Sequence, residues 1–246
     1  MSMNESIHGG SADRRAEWFA PKFGSPKFRS MVGLLFLPYT GMVLSFSVIG
    51  SILTDKIYWD RVLAIITIYF LGLGISAHAL DAIGAKGTKP WGRILTRSQL
   101  WLIAIISLVP AYLIAIYYMV TRVPLLWFVA VAEGFFVFAY NLEWFKGRFH
   151  TDGWFAFSWG FLPALAGSIM QTNRISLEAL IVAAATAFFS IVEIKASRPY
   201  KELKQRFDTL REEERSLMIR YEAILKSISF GVILLGMGLL IRRMTG

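Results

Sequence analysis

The chain has 246 residues, of which 55% are hydrophobic, and it carries a formal net charge of +9 with no cysteine. The interior of a soluble domain of this size cannot bury so large an apolar share, which indicates a protein solvated by lipid. The absence of cysteine excludes disulfides and thiolate metal sites. The Lys and Arg residues lie in short segments between apolar runs, as in membrane proteins, and this distribution argues against nucleic-acid binding.

The first 30 residues precede the first apolar run. Residues 1–15 have a composition typical of disorder, whereas residues 16–30 mix aromatic and basic side chains in the manner of a membrane-interface segment. Arg14 and Arg15 are followed by a mixed stretch rather than an apolar one, so a cleavable signal peptide is not predicted. Residues 31–246 are predicted to form a single transmembrane helical domain.

Seven apolar runs follow, each close to the length that a membrane-spanning helix needs. The sequence therefore predicts an all-α, polytopic membrane bundle of about seven transmembrane helices. The predicted spans are residues 32–53, 62–84, 99–120, 124–141, 154–172, 177–196 and 222–241.

The segment 197–221, between the sixth and seventh predicted spans, is charged but patterned. Its apolar residues recur at helical spacing and form one stripe among Lys, Arg and Glu: Leu203, Phe207, Leu210, Leu217 and Tyr221. This pattern predicts an amphipathic helix at the cytoplasmic face that lies on the membrane or caps the bundle. The alternative is a solvated helix that extends the seventh span.

The distribution of basic residues predicts the orientation. Of the 26 Lys and Arg residues, 20 lie in the N-terminal segment, in the loops after the second and fourth predicted spans, and in the segment around the connection of the sixth and seventh spans, Lys195 to Lys226. Basic loops remain in the cytoplasm, so the N-terminus is predicted to be cytoplasmic and the C-terminus extracytoplasmic. This orientation is the reverse of that of seven-helix receptors.

Ionisable residues inside predicted spans are costly to bury, and each one is a candidate functional residue. His78 and Asp81 stand three residues apart near the inner end of the second span, and Glu193 stands at the same depth on the sixth. Basic residues follow both positions, so carboxylates and cations at one membrane surface could hold a metal-bound phosphate or diphosphate. The alternative is structural: Asp81 pairs with Lys86 or Lys89, and Glu193 pairs with a nearby arginine.

Glu133 lies near the middle of the fourth predicted span, and Tyr140 follows seven residues later on the same helix face. A carboxyl group at this depth is expected to point into the bundle. It is either a proton acceptor or a buried acid that is hydrogen-bonded to a neighbouring helix. His150, in the following loop, is expected to be a surface residue rather than a ligand.

Four passages of the sequence occur in a recognisable order. The first predicted span contains LPYTGMVLSFSVIGSIL, and the inner end of the second contains GISAHALDAIGAKG, in the position of an aspartate-rich motif of the form NxxxDxxxD. The inner ends of the fourth and sixth spans contain AYNLEWFKGRFHTDGWFAFSWGFLPALAGS and FFSIVEIKASRPYKELK. Over about residues 30–225, this order resembles the UbiA superfamily of intramembrane prenyltransferases.

The resemblance implies a UbiA-like helical bundle in which two aspartate-rich motifs bind Mg²⁺ and the diphosphate of an isoprenyl donor. Asp81 matches the central aspartate of the first motif, and His78 takes a position that is commonly Asp. Ala77 and Ala85 stand where the family has Asn and its last Asp. Glu193 is the acid that remains of the second motif.

The activity that the resemblance implies is transfer of an isoprenyl group from a prenyl diphosphate to a lipophilic acceptor. It makes Asp81 and Glu193 the expected metal ligands, with Tyr140 and Glu133 as further catalytic candidates. The expected substrate-binding residues are polar or basic and lie near the cytoplasmic face: His78, Lys86, Lys89, Lys146, Arg148, Arg198 and Lys201. Within this set, Lys146 and Arg148 match the basic pair of the family.

Two alternatives belong to other functional classes. A non-catalytic UbiA-like subunit that binds isoprenoid or lipid, or assists assembly of a complex, would keep the bundle and tolerate the thinned motifs. A small transporter would place paired polar residues at mid-membrane and show an internal repeat. The sequence has Glu133 alone at mid-depth and no convincing repeat, which makes transport the weakest of the three.

Overall fold

The computed structural model describes residues 17–85 and 94–245, and every regular element in these two ranges is helical. The predicted all-α class is therefore confirmed. Six helices are long and apolar enough to cross a membrane, which is the composition of an integral membrane protein, and a seventh apolar helix is shorter. They are α1 (Pro26–Ser51), α2 (Trp59–Gly84), α3 (Arg97–Thr121), the shorter α4 (Leu126–Ala139), α5 (Asp152–Thr172), α6 (Leu177–Gln205) and α7 (Glu212–Thr245).

Helix α4 has 14 residues, fewer than the predicted span 124–141. At about 1.5 Å per residue it is roughly 21 Å long, against a hydrocarbon core of roughly 30 Å. At its start, the Leu125 N–H donates to Oδ1 of Asn173, just after α5, at 2.9 Å. Beyond its end, the Tyr140 ring stacks on His150, just before α5, with ring centroids 4.5 Å apart. Helices α4 and α5 therefore run antiparallel over the same depth.

Helix α1 begins at Pro26 rather than at the predicted residue 32. The Ser25 hydroxyl accepts a hydrogen bond from the Phe28 N–H, and proline suits the first turn of a helix, so the start is well capped. The helix is interrupted at Phe36, whose φ of 42° is left-handed, and it resumes over Leu37–Ser51. The interruption turns the Phe36 side chain into the bundle, where it is 4% exposed.

The segment 197–221 is divided among three elements, which differs from the predicted separate amphipathic helix. Helix α6 continues to Gln205, a 3₁₀ turn covers Phe207–Thr209, and α7 begins at Glu212. The two long helices pack directly against each other at this level, where the Tyr200 hydroxyl donates to Oε2 of Glu222 at 3.3 Å. The segment thus extends both spans and forms the turn of a helical hairpin.

Two helices contain a π-helical stretch, Phe70–Ala77 in α2 and Phe157–Phe161 in α5. Stretches of this kind widen a helix locally and occur often at functional sites. His78 follows directly after the first stretch, and Trp159 lies within the second. Both stretches therefore set the rotation of side chains that face the interior of the bundle.

Glycines permit the closest helix contacts. A Cβ at Gly50 of α1 would collide with the Ala164 carbonyl of α5, and one at Gly167 of α5 would collide with the Ser47 carbonyl of α1. A Cβ at Gly84 would likewise collide with the backbone at Asn141. The last contact brings the end of α2 against the end of α4, next to the cavity described below.

Candidate functional site

One end of the bundle contains a cavity of about 210 Å³. Its lining includes six residues that the sequence singled out: His78, Asp81, Tyr140, Glu193, Arg198 and Lys201. The rest of its wall is largely aromatic and comes from the start of α1 and from α5: Phe36, Tyr39, Phe155 and Trp159. We call this space the polar cavity, because it combines acidic and basic side chains with an apolar wall.

The two acids of the polar cavity come from different helices. Asp81 lies on the α-helical turn that ends α2, and Glu193 lies on α6, where it is 5% exposed. Both helices approach this end of the bundle, and Gly84 lets the last turn of α2 pack tightly enough to bring Asp81 to the cavity wall. Asp81 and Glu193 therefore line the same cavity from two different helices.

The basic residues of the polar cavity follow on α6. The Arg198 guanidinium forms an ion pair with Asp152 (Nη1 to Oδ1, 3.0 Å) and donates to the His150 carbonyl at 3.4 Å. The Lys201 ammonium lies over the Phe36 ring, 5.6 Å from its centroid. A fork-shaped cation and a point-charge cation therefore face the same space as the two acids.

Two histidines border the polar cavity, and the same hydrogen-bond pattern orients both. His78 Nδ1 lies 3.0 Å from the Gly74 carbonyl, and His150 Nδ1 lies 3.1 Å from the Tyr140 carbonyl. A carbonyl only accepts, so Nδ1 carries the hydrogen in each ring, and Nε2 is the unprotonated nitrogen of the neutral form. His78 is also stacked on Phe36, with centroids 4.7 Å apart.

His150, which was expected to be a surface residue, is half-buried and lines the polar cavity. Thr151 is the N-cap of α5, and its hydroxyl accepts from the Trp154 N–H. This cap begins the helix immediately after His150 and turns the ring onto Tyr140. The Thr-Asp pair that starts α5 is a recognisable N-cap signal, and it could have placed His150 at a helix start rather than in an open loop.

Two predicted residues that the structure describes, Lys146 and Arg148, do not line the polar cavity. Lys146 and Arg148 are exposed, next to a short turn (Trp144–Gly147) in which the backbone of Lys146 is left-handed. Lys86 and Lys89 lie outside the described residues. Phosphate contacts from the described part of the chain are therefore limited to the basic residues of α6.

Glu133 lies in a different cavity from Tyr140, although the two residues share a helix. Its Oε1 accepts a hydrogen bond from the Tyr69 hydroxyl of α2 at 3.0 Å, so the buried acid is bonded to a neighbouring helix. Around it is a small apolar space of about 60 Å³. The two catalytic candidates of α4 therefore do not act on one reacting atom.

The acids of the polar cavity suit a hard cation that arrives with a phosphate ligand. Among the residues that the structure describes, no group of three or more His, Asp or Glu side chains is arranged to hold a metal. Mg²⁺ commonly takes one or two carboxylates and completes its shell with substrate phosphate oxygens and water. Asp81 and Glu193 fit that donor set, with Arg198 and Lys201 beside them for the remaining phosphate charge.

Comparison with known proteins adds no relative. No family model, no curated protein and no solved structure matches the chain. The residues that meet in the polar cavity are therefore the features of the chain that bear on its function.

Proposed function

We propose that this protein is an integral membrane transferase that moves an isoprenyl group from a prenyl diphosphate to a lipophilic acceptor. The observation that carries the proposal is the composition of the polar cavity. Acids of α2 and α6, cations of α6 and aromatic rings of α1 and α5 surround one space. A prenyl diphosphate has the same two parts, an anionic head that needs a metal and cations, and an apolar chain.

In this proposal some cavity residues bind the diphosphate group of the donor and others contact its isoprenyl chain. Asp81 and Glu193 hold Mg²⁺, which supplies charge neutralisation for the diphosphate when it is bound. Arg198 binds phosphate oxygens through its planar fork, and Lys201 binds them as a point charge. Phe36 and Trp159 contact the first carbons of the chain.

The chemical step then requires ionisation and capture. The bond between the allylic carbon and the bridging oxygen breaks, and its electron pair leaves with the diphosphate. Arg198 and Lys201 stabilise that developing negative charge, and the Trp159 ring stabilises the allylic cation. A nucleophilic carbon or oxygen of the acceptor forms the new bond and loses a proton, for which Tyr140 and the two histidines are candidate acceptors in the wall.

We propose a UbiA-like arrangement with seven membrane crossings and the polar cavity on the cytoplasmic side. Support for the seventh crossing comes from the antiparallel pairing of α4 with α5 over the same depth. Support for the orientation comes from the sequence, in which 20 of the 26 basic residues belong to the N-terminal segment and to the segments near the inner ends of the second, fourth and sixth predicted spans.

The experiment is a transfer assay on protein reconstituted in lipid, with radiolabelled prenyl diphosphates of several chain lengths, a lipophilic phenol and Mg²⁺. We expect transfer in the wild type and at least a roughly hundredfold loss in Asp81→Asn and in Glu193→Gln, because each change removes a charged metal ligand. Asp60→Asn is the matched control. Asp60 accepts from Tyr118 at 3.1 Å at the opposite end of the bundle, and its change should leave transfer intact.

Two outcomes would contradict the proposal in different ways. Transfer that persists in both acid variants would show that the metal site is elsewhere. No transfer with any donor, combined with retention of an isoprenoid lipid through purification, would favour the non-catalytic binding subunit. That second function is favoured by the small number of acids in the polar cavity, since a binding protein does not need to ionise a diphosphate.

A further inference from the structure

The small cavity around Glu133 is separate from the polar cavity and has a different chemistry. Side chains of α2, α3, α4 and α5 line it, and among its described lining residues none is Lys, Arg or His. Its wall is apolar apart from one carboxyl group and two phenols, which belong to Glu133, Tyr69 and Tyr112. We call it the apolar cavity.

The hydrogens of both phenols are already donated. The Tyr69 hydroxyl donates to Oε1 of Glu133 at 3.0 Å, and the Tyr112 hydroxyl donates to the Ala130 carbonyl at 3.0 Å. Oε2 of Glu133 is buried and has no hydrogen-bond partner. Leaving a buried oxygen without a hydrogen-bond partner is costly, so this atom is the polar group of the apolar cavity that a ligand would satisfy.

Whether the carboxyl group of Glu133 is protonated determines whether its ligand must donate or accept a hydrogen bond. A carboxylate with no cation beside it is costly in an apolar, membrane-embedded wall, so the group is expected to be neutral. Oε1 accepts the hydrogen of Tyr69, which assigns the acid's own hydrogen to Oε2. Glu133 therefore presents a donor to the apolar cavity, and the complementary group is an oxygen that only accepts.

We propose that the apolar cavity binds the carbonyl end of a lipophilic molecule, such as a ketone, that enters from the bilayer. Its oxygen accepts a hydrogen bond from Oε2 of Glu133. A volume of about 60 Å³ takes roughly four water-sized groups, which suits a carbonyl carbon with its neighbours, while a longer chain extends outward. Ile68, Leu108 and Ala130 are only half-buried and form the outer part of the wall, next to lipid. This site does not depend on the transferase proposal.

Small residues make room for the ligand. Gly72 lies in the π-helical stretch of α2 and lines the apolar cavity, and a Cβ there would meet no atom within 4 Å. Gly134 instead makes room for the Tyr112 side chain, because a Cβ at Gly134 would collide with the Tyr112 hydroxyl. A side chain added at Gly72 therefore fills the apolar cavity without disturbing the packing of the backbone.

This difference provides the test. Purified full-length protein in lipid nanodiscs is titrated with a long-chain methyl ketone labelled with ¹³C at the carbonyl, and the carbonyl stretching band is followed by infrared spectroscopy. In the wild type we expect a saturable band that is shifted to lower frequency by the hydrogen bond from Glu133. In Gly72→Val the bound band should require at least roughly tenfold more ketone, because the new side chain occupies the binding volume.

Two further variants separate binding from folding. Glu133→Gln keeps a donor at the same position and should bind within about threefold of the wild type, with a different band shift. Gly238→Val is the matched control, since Gly238 is exposed on α7 and a Cβ there also meets no atom within 4 Å. The proposal is overturned if the wild type gives no saturable shifted band, or if Gly72→Val binds the ketone as well as Gly238→Val does.

Discussion

Arg198 lines the polar cavity and also contacts residues outside α6. It contacts Asp152 and the His150 carbonyl while lining the cavity, so its fork is held in place before any ligand arrives. We predict that Arg198→Ala weakens binding of a non-hydrolysable prenyl diphosphate analogue by roughly tenfold or more, because a charge-assisted, bidentate contact is lost. Equilibrium binding of a radiolabelled analogue to the reconstituted protein measures the effect.

Lys195 supplies the matched control for Arg198. Its ammonium also pairs with Asp152, at 3.3 Å, but its side chain is 67% exposed and does not line the polar cavity. Lys195→Ala should change analogue binding less than about twofold, since exposed ion pairs contribute little. Equal losses in the two variants would mean that Asp152, and not the ligand, is the group that needs the positive charge.

Tyr69 is the partner of the deep acid, and its hydroxyl can be removed alone. Tyr69→Phe leaves Glu133 buried with neither oxygen hydrogen-bonded, so we predict a loss of about 1–3 kcal/mol in the free energy of unfolding. Tyr117→Phe, at a position on α3 that is 57% exposed, should change it by less than about 0.5 kcal/mol. Reversible unfolding in mixed detergent micelles compares the two. A stability of Tyr69→Phe equal to that of Tyr117→Phe would contradict the proposed burial of Glu133.

At the scale of single residues, the sequence predicts which acids meet in the polar cavity better than it predicts which cations join them. Asp81 and Glu193 stand out because charges inside apolar runs are rare and costly, and helix direction places them at one end. Lys146 and Arg148 were expected to bind substrate, yet both side chains are exposed beside a left-handed turn. Left-handed backbone at a lysine depends on surrounding contacts and has no local sequence signal.

The contact between α1 and α5 is the tightest helix pair of the fold. Gly50 and Gly167 stand at the crossing, where each faces a backbone carbonyl of the other helix. We predict that Gly167→Val lowers the free energy of unfolding by at least about 1–3 kcal/mol, because two rigid helices cannot separate without losing their packing. Detergent-induced unfolding measures the loss, and Gly231→Val on the exposed face of α7 is the control. Equal stability of the two variants would mean that the helices separate freely.

Hydropathy patterns predict the approximate positions of the helices but not their breaks or their rotation. A count of apolar residues places the spans, but the break at Phe36 and the π-helical stretch Phe70–Ala77 change helix rotation without changing composition. The segment 197–221 has apolar residues on one helix face. Such a pattern indicates that the face is buried but does not identify the element or lipid that buries it. In the structure α6 and α7 cover much of each other, so the segment becomes the ends of two spans.

The two ends of the whole molecule differ in charge and in packing. Most basic residues lie at the end with the polar cavity. At the opposite end, hydrogen bonds join the start of α2 to the end of α5: the Tyr58 N–H donates to Gln171 at 2.8 Å, and Arg61 donates to the Gln171 carbonyl at 3.0 Å. The basic end is therefore the one that would attract the anionic substrate we propose, while hydrogen bonds join two helices at the other end.

The number of crossings can be tested because the chain contains no cysteine, so a single introduced thiol reports on one position alone. Arg122 lies before α4 and Lys146 after it, and both are exposed. If α4 crosses the membrane, a membrane-impermeant maleimide should label Arg122→Cys and Thr245→Cys in intact cells. Lys146→Cys and Asp208→Cys should then react only after permeabilisation.

The physical reason is that α4, although about 21 Å long, is extended at both ends by residues that reach the levels of Asn173 and His150. A short span is accommodated by local thinning of the bilayer at a modest cost. Labelling of Arg122→Cys and Lys146→Cys from the same side would show that α4 does not cross. The polar cavity and the C-terminus would then have to be reassigned together, because every helix after α4 would change direction relative to the membrane.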